Sequence, residues 1–126
     1  MKIFSKMAFT LFVILPLYAF AFVPKTTEIV PPPPIRYSKA YNEKIIREVF
    51  KENAADALKI AKCESSLDNL ARGDSGFSIG IFQIYTKVHT QHSIEQLQDP
   101  LYNAILAKEL FDKEDWRPWT CRNVLL

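Results

Sequence analysis

Ile60-Ala61-Lys62-Cys63-Glu64-Ser65-Ser66-Leu67 is the stretch on which the reading of this chain turns. It closes an amphipathic run. Asn53 is a candidate N-cap, Asp56 lies in the first turn, and Ala54, Ala57, Leu58 and Ala61 share one helical face. Glu64 follows Ala61 by three residues, so it continues that inward face at the end of the helix. A carboxylic acid held in such a place can protonate a leaving-group oxygen. Solvated helix-end glutamates share the spacing, so position alone leaves its role open.

Working outward, residues 41–52 carry Ile45, Ile46, Val49 and Phe50 as one helical stripe. Downstream comes Arg72-Gly73-Asp74-Ser75-Gly76-Phe77-Ser78-Ile79-Gly80, which holds every glycine of the chain. Glycine allows positive φ and close approach of backbone to a ligand. A hairpin turn would satisfy the same residues. The segment lacks the Gly-Lys-Ser/Thr ending of a phosphate loop. Residues 79–85 read as a short strand or a buried turn. Ser93 with Gln96 forms a capping-box pattern, and Asp99-Pro100 is an N-cap and N1 pair. Leu101, Ala104, Ile105, Ala107, Leu110 and Phe111 form the apolar side of the helix that follows. The fold class expected is mainly α, an α+β arrangement of at least four helices with a Gly-rich loop or short hairpin.

Several of these segments together resemble a known family. Ile60 to Leu67 is similar to the catalytic Glu-Ser segment of soluble-type lytic transglycosylases, in the lysozyme-like superfamily. Gly80-Ile81-Phe82-Gln83-Ile84 resembles their Gly-Leu-Met/Phe-Gln-Ile segment, and Asp99-Pro100-Leu101-Tyr102-Asn103-Ala104 their later helix start. Trp116-Arg117-Pro118-Trp119 resembles the aromatic close of small members, including resuscitation-promoting-factor-like domains.

The resemblance implies a lysozyme-like fold with a saccharide cleft and peptidoglycan glycan strands as substrate. The bond cut would be the β-1,4 link from N-acetylmuramic acid to N-acetylglucosamine, closing a 1,6-anhydro ring. Glu64 matches the catalytic acid, which would then act as base. No metal and no organic cofactor is implied. Ser65, Gly80, Gln83 and Asn103 match family positions and are expected at or beside the substrate, with orientation of a buried network the alternative for Asn103. Tyr85 and Trp116 are candidates for stacking on sugar rings, with core packing as the alternative. Asp74 is the candidate second carboxylate of a hydrolytic muramidase, which needs a separation from Glu64 of roughly 6.5–9.5 Å. An aspartate beside glycine also commonly bonds its own turn, and that reading is favoured. A third reading, of another class, is a non-catalytic wall-binding or secretion-complex module. His89 and His92 lack a third ligand and read as surface histidines.

The N-terminus is expected to send the chain out of the cytoplasm, to the periplasm, the cell wall or the medium. Lys2 and Lys6 precede an apolar run over residues 7–23, and Ala19-Phe20-Ala21 has the form of a signal-peptidase site. Residues 1–21 are expected to be a cleaved signal peptide, with retention of residues 7–23 as a membrane anchor the alternative. Residues 22–39 read as a linker, in which Pro31-Pro32-Pro33-Pro34 forms a polyproline II spacer. Residues 40–126 form the globular domain, expected as a monomer. Cys63 and Cys121 are an even pair in an exported chain and are expected to form a disulfide. The chain carries 16 basic and 14 acidic residues, and the surplus of two sits in the leader at Lys2 and Lys6. With no clustered basic excess, nucleic-acid binding is not expected.

Overall fold

The computed structural model describes residues 31–126. The expected leader and the first half of the expected linker, with the cleavage or anchoring of residues 7–23, lie outside the described residues. Four helices, α1 (Lys39–Phe50), α2 (Ala54–Ser65), α3 (Ile94–Gln98) and α4 (Pro100–Glu114), accompany a small sheet. A 3-10 turn, Lys51–Asn53, joins α1 to α2, and a 3-10 helix, Thr120–Leu125, ends the chain. This is the α+β lysozyme-like architecture expected. No helix among the described residues is long and apolar enough to cross a membrane.

Local chemistry fixes most helix ends. Ser38 Oγ accepts the Tyr41 N–H and starts α1. The capping box at α3 makes both of its bonds, Gln96 N–H to Ser93 Oγ and Ser93 N–H to Gln96 Oε1. Asp99 Oδ1 accepts the Tyr102 N–H, with Pro100 in the first turn of α4. Asn53 departs from expectation. Its side chain makes no cap bond, because the preceding 3-10 turn runs directly into α2. Helix α2 stops at Ser66, whose left-handed backbone (φ 54°) turns the chain while its N–H returns to Lys62 O.

The apolar stripes meet as expected on α1 and α2. Ile46, Phe50, Ala57, Ile60 and Ala61 are fully buried, and α1 packs on both α2 and α4. The Phe50 ring stands 5.2 Å from Phe82, 5.6 Å from Trp116 and 6.1 Å from Phe111, centroid to centroid. On α4 the buried side is rotated from the expected one. Asn103, Ala104, Leu106 and Ala107 face inward, and Leu101 and Ile105 are exposed. A buried asparagine displaces the stripe, because its amide satisfies backbone groups that no leucine could.

Three short strands, β1 (Arg72–Gly73), β2 (Ser78–Ile79) and β3 (Ile84–Tyr85), pair antiparallel in the order β1-β2-β3. Gly73, Ser78 and Tyr85 are paired across the sheet, and so are Arg72, Ile79 and Ile84. Alternation then separates two faces. Ile79 and Ile84 enter the core, and the Gly73–Ser78–Tyr85 row faces the cleft described below. Residues 79–85 are thus both things the sequence allowed, two strand ends joined by a buried turn.

At the other edge, the end of the linker lies on the domain. Tyr37 N–H donates to Asn69 Oδ1 at 3.0 Å, and Asn69 Nδ2 donates to Ile35 O at 2.9 Å. Arg36 forms an ion pair with Asp68. Pro31 to Pro34 are exposed and belong to no helix or strand.

Candidate active site

A cleft of about 530 Å³ opens between the end of α2, the sheet and the segment leading into the C-terminal 3-10 helix. Glu64, Asp74, Gln83 and Tyr85 line it, together with Gly73, Ser78, Pro118, Trp119 and Thr120. It brings together four of the residues singled out from the sequence. Glu64 is half-buried at the cleft wall rather than sunk in the core, because the helix ends one residue later. One carboxylate oxygen, Oε1, accepts the backbone N–H of Cys121 at 3.0 Å. Oε2 has no protein partner among the described residues, so it is the oxygen open to a ligand. Cys63, one residue before, is disulfide-bonded to Cys121 with their Cα atoms 6.0 Å apart.

The Gly-rich loop supplies the facing wall. Asp74, Ser75 and Gly76 all have positive φ (50°, 58° and 92°). Such a run is costly for the two residues that carry side chains. It turns the Asp74 carboxylate toward β2, where Oδ2 accepts the buried Ser78 hydroxyl. The aspartate side chain is therefore engaged by a residue four positions on, not by its own turn backbone.

Gln83 stands across from this loop. Its Nε2 donates to Gly80 O at 2.9 Å and Ala71 O at 3.2 Å. A Cβ on Gly73 would sit 2.5 Å from Gln83 Oε1. Gly73 is extended, so it is there for space rather than for its conformation. Tyr85, 37% exposed, offers a ring face at the rim. Trp119 is nearly buried, and its indole N–H donates to Phe82 O at 2.9 Å, which fixes the ring edge at the cleft floor.

Four other sequence candidates do not line the cleft. Ser65 Oγ donates toward Ile81 O (2.7 Å) and Ala61 O (3.1 Å), tying the end of α2 to the loop before Gln83. Asn103 is wholly buried. Its Nδ2 donates to Ile79 O and Leu97 O, and its Oδ1 accepts the Phe82 N–H. Gly80 packs on that same amide with φ 81°. Trp116 is buried against Phe50 and Phe111, so it is a core residue, not a stacking platform. All four positions shape the cleft from behind instead of lining it.

His92 is not a free surface side chain either. Its Nδ1 lies 2.7 Å from the Tyr102 hydroxyl, and its Nε2 is buried. Among the described residues no three His, Cys, Asp or Glu side chains cluster as metal ligands.

Ser78, Pro118, Trp119 and Thr120 were not read as cleft residues from the sequence. Ser78 carries a usable signal, since in a hairpin centred on residues 80–83 it shares a face with Tyr85. Thr120 carries none, because only the tertiary return of the chain beside Glu64 puts it there.

A family model described as a lysozyme-like domain matches residues 47–121, more than half of the chain and everything that builds the cleft. No curated protein and no solved structure matches the chain.

Proposed function

This chain belongs to the lysozyme-like domain family, and from that premise we propose that it is a peptidoglycan lytic transglycosylase of the soluble type. Membership supports action on the glycosidic bonds of peptidoglycan. The observation that carries the finer reading is Glu64 at the cleft wall, with one oxygen held by Cys121 N–H and the other free.

The free oxygen suits a proton carrier. Protonated Glu64 gives its proton to the oxygen linking N-acetylmuramic acid to N-acetylglucosamine, and the C1–O bond breaks. The substrate's acetamido oxygen holds the charge at C1. The Glu64 carboxylate then takes the proton of the muramyl C6 hydroxyl, whose oxygen bonds to C1. One C–O bond is lost and one is formed, no water is consumed, and the acid is regenerated. One carboxylate suffices where most glycosidases use two. Tyr85 supplies an apolar face for a sugar ring, Trp119 an apolar edge at the cleft floor, and Gln83 offers its amide oxygen to the polar groups of the sugars. The proposed site needs neither metal nor organic cofactor. The disulfide fits an exported protein acting in the envelope or outside the cell.

A second reading, a hydrolytic muramidase, is favoured by one observation: Asp74 shares the cleft with Glu64. Two substitutions separate the readings. Glu64→Gln abolishes cleavage of purified peptidoglycan under both. Asp74→Asn keeps anhydro-product formation if the enzyme is a transglycosylase and abolishes turnover if it is a muramidase. Wild-type activity in Glu64→Gln would sink both assignments, whereas a wild type that binds glycan strands without cleaving them would leave a wall-binding module.

A further inference from the structure

Glu64 and Cys121 lie 57 positions apart in the chain and are joined twice. One link is the hydrogen bond from Cys121 N–H to Glu64 Oε1, and the other is the disulfide from Cys121 to the residue preceding Glu64. Together they close a small ring through the Glu64 side chain. The covalent leg fixes where residue 121 stands, and the hydrogen bond turns one carboxylate oxygen toward it.

Besides these two links, residue 121 is held by packing, since Cys121 and Leu125 are partly buried against the core and the 3-10 helix lies along α2. The 3-10 helix from Thr120 to Leu125 has no buried residue, and Thr120, Arg122 and Asn123 are exposed. The nearest firm anchor is Trp119, buried and bonded to Phe82 O. With the disulfide absent, Trp116 and Trp119 would keep the chain on the core, and only partly buried contacts would hold the 3-10 helix in register with α2.

We infer that the Cys63–Cys121 disulfide is a positioning device for the acid, beyond its value as a staple: it holds the Cys121 N–H on Glu64 so that the other oxygen faces the substrate. This rests on Glu64 being the acid of the proposed reaction. A misplacement of about 1 Å in a reacting group can cost on the order of 100-fold in rate. The loss expected here falls on kcat, because Tyr85, Gln83 and Trp119, which bind the glycan, are anchored independently of the bridge.

The test has two arms. In the first, wild type and the Cys63→Ala/Cys121→Ala double variant are assayed on peptidoglycan well below the melting temperature of each. The expected result is a kcat lowered by about 10- to 100-fold with KM within about twofold. Equal kcat per folded molecule would overturn the inference.

The second arm needs no activity. In ¹⁵N-labelled wild type, the Cys121 amide proton shift follows the ionisation of Glu64, and this pH dependence vanishes in Glu64→Gln. In the double variant the amide of residue 121 loses it too. An amide in wild type that does not respond to Glu64 would overturn the inference, whether or not the double variant folds. Wild type that is inactive on peptidoglycan, yet shows this titration, refutes the proposed function and leaves the coupling standing.

Discussion

A methyl group placed on Gly80 would stand 2.4 Å from Asn103 Nδ2. It would also lie 2.3 Å from the backbone oxygen of Leu97, which cannot swing away. Gly80 has φ 81°, a conformation that costs any other residue. Gly80→Ala is therefore expected to lose about 2–4 kcal/mol, from backbone strain and overpacking together. Asn103→Ala leaves the Phe82 N–H and two carbonyls unpaired in the core. It should cost about 3 kcal/mol. Urea midpoints measure both, and a loss below about 1 kcal/mol in either would contradict the account of this knot.

The two aromatic residues first read as sugar platforms should separate cleanly. Tyr85→Ala removes a ring at the cleft rim. It is expected to raise KM for glycan strands by about three- to tenfold, the equivalent of roughly 0.5–1.5 kcal/mol of stacking, with the melting temperature unchanged. Trp116→Ala empties the core beside Phe50 and Phe111. It should destabilise by about 3–5 kcal/mol. Kinetics and calorimetry on the same pair of proteins decide the point. A Trp116→Ala protein of full stability but weakened glycan binding would reverse the assignment.

The disulfide closes a loop of 58 residues. In the chain-entropy model that is worth about 4 kcal/mol. Reduction is thus expected to lower the melting temperature by roughly 15–30 °C. Cys63 is exposed, so a reductant reaches it without prior unfolding. Thermal melts with and without reductant measure the difference, and coincident melts would contradict it.

Stability should also fall on mild acidification. Burial, and then the neighbouring His92, hold the His89 imidazole below its ordinary value of 6.5. Above that pH both folded and unfolded chains carry the neutral ring, and its contribution to stability is fully present. As the pH falls through 6.5 the unfolded chain takes up the proton first, so the folded state loses ground until the folded value is passed. His89→Gln should flatten the dependence of stability on pH over this window. An unchanged slope in denaturation curves collected from pH 7.5 to about pH 5 would refute the linkage.

The features legible in the sequence are those set by neighbours in the chain. The capping box at Ser93, the Asp99-Pro100 start and the stripes of α1 and α2 depend on residues three or four apart, and all stand in the structure. The disulfide needed only an even cysteine count and the expectation of export. Residues drawn together from far apart were read less well. In the sequence Asn103 is open between a sugar contact and a buried network, and only the fold shows its amide completing backbone groups near residues 79, 82 and 97. Leu101 and Ile105 looked inward because any apolar residue at helical spacing does, until a buried amide fixes the rotation of the helix. The bond from Cys121 to Glu64 has no local signal at all, since a backbone N–H is the same at every position.

The most direct measurement is mass spectrometry of the fragments released when the residue 22–126 protein digests purified peptidoglycan. The account predicts glycans ending in 1,6-anhydromuramic acid, one water lighter than reducing-end products, and none from Glu64→Gln. Fragments with reducing-end N-acetylmuramic acid would contradict it and place Asp74 in the reaction instead.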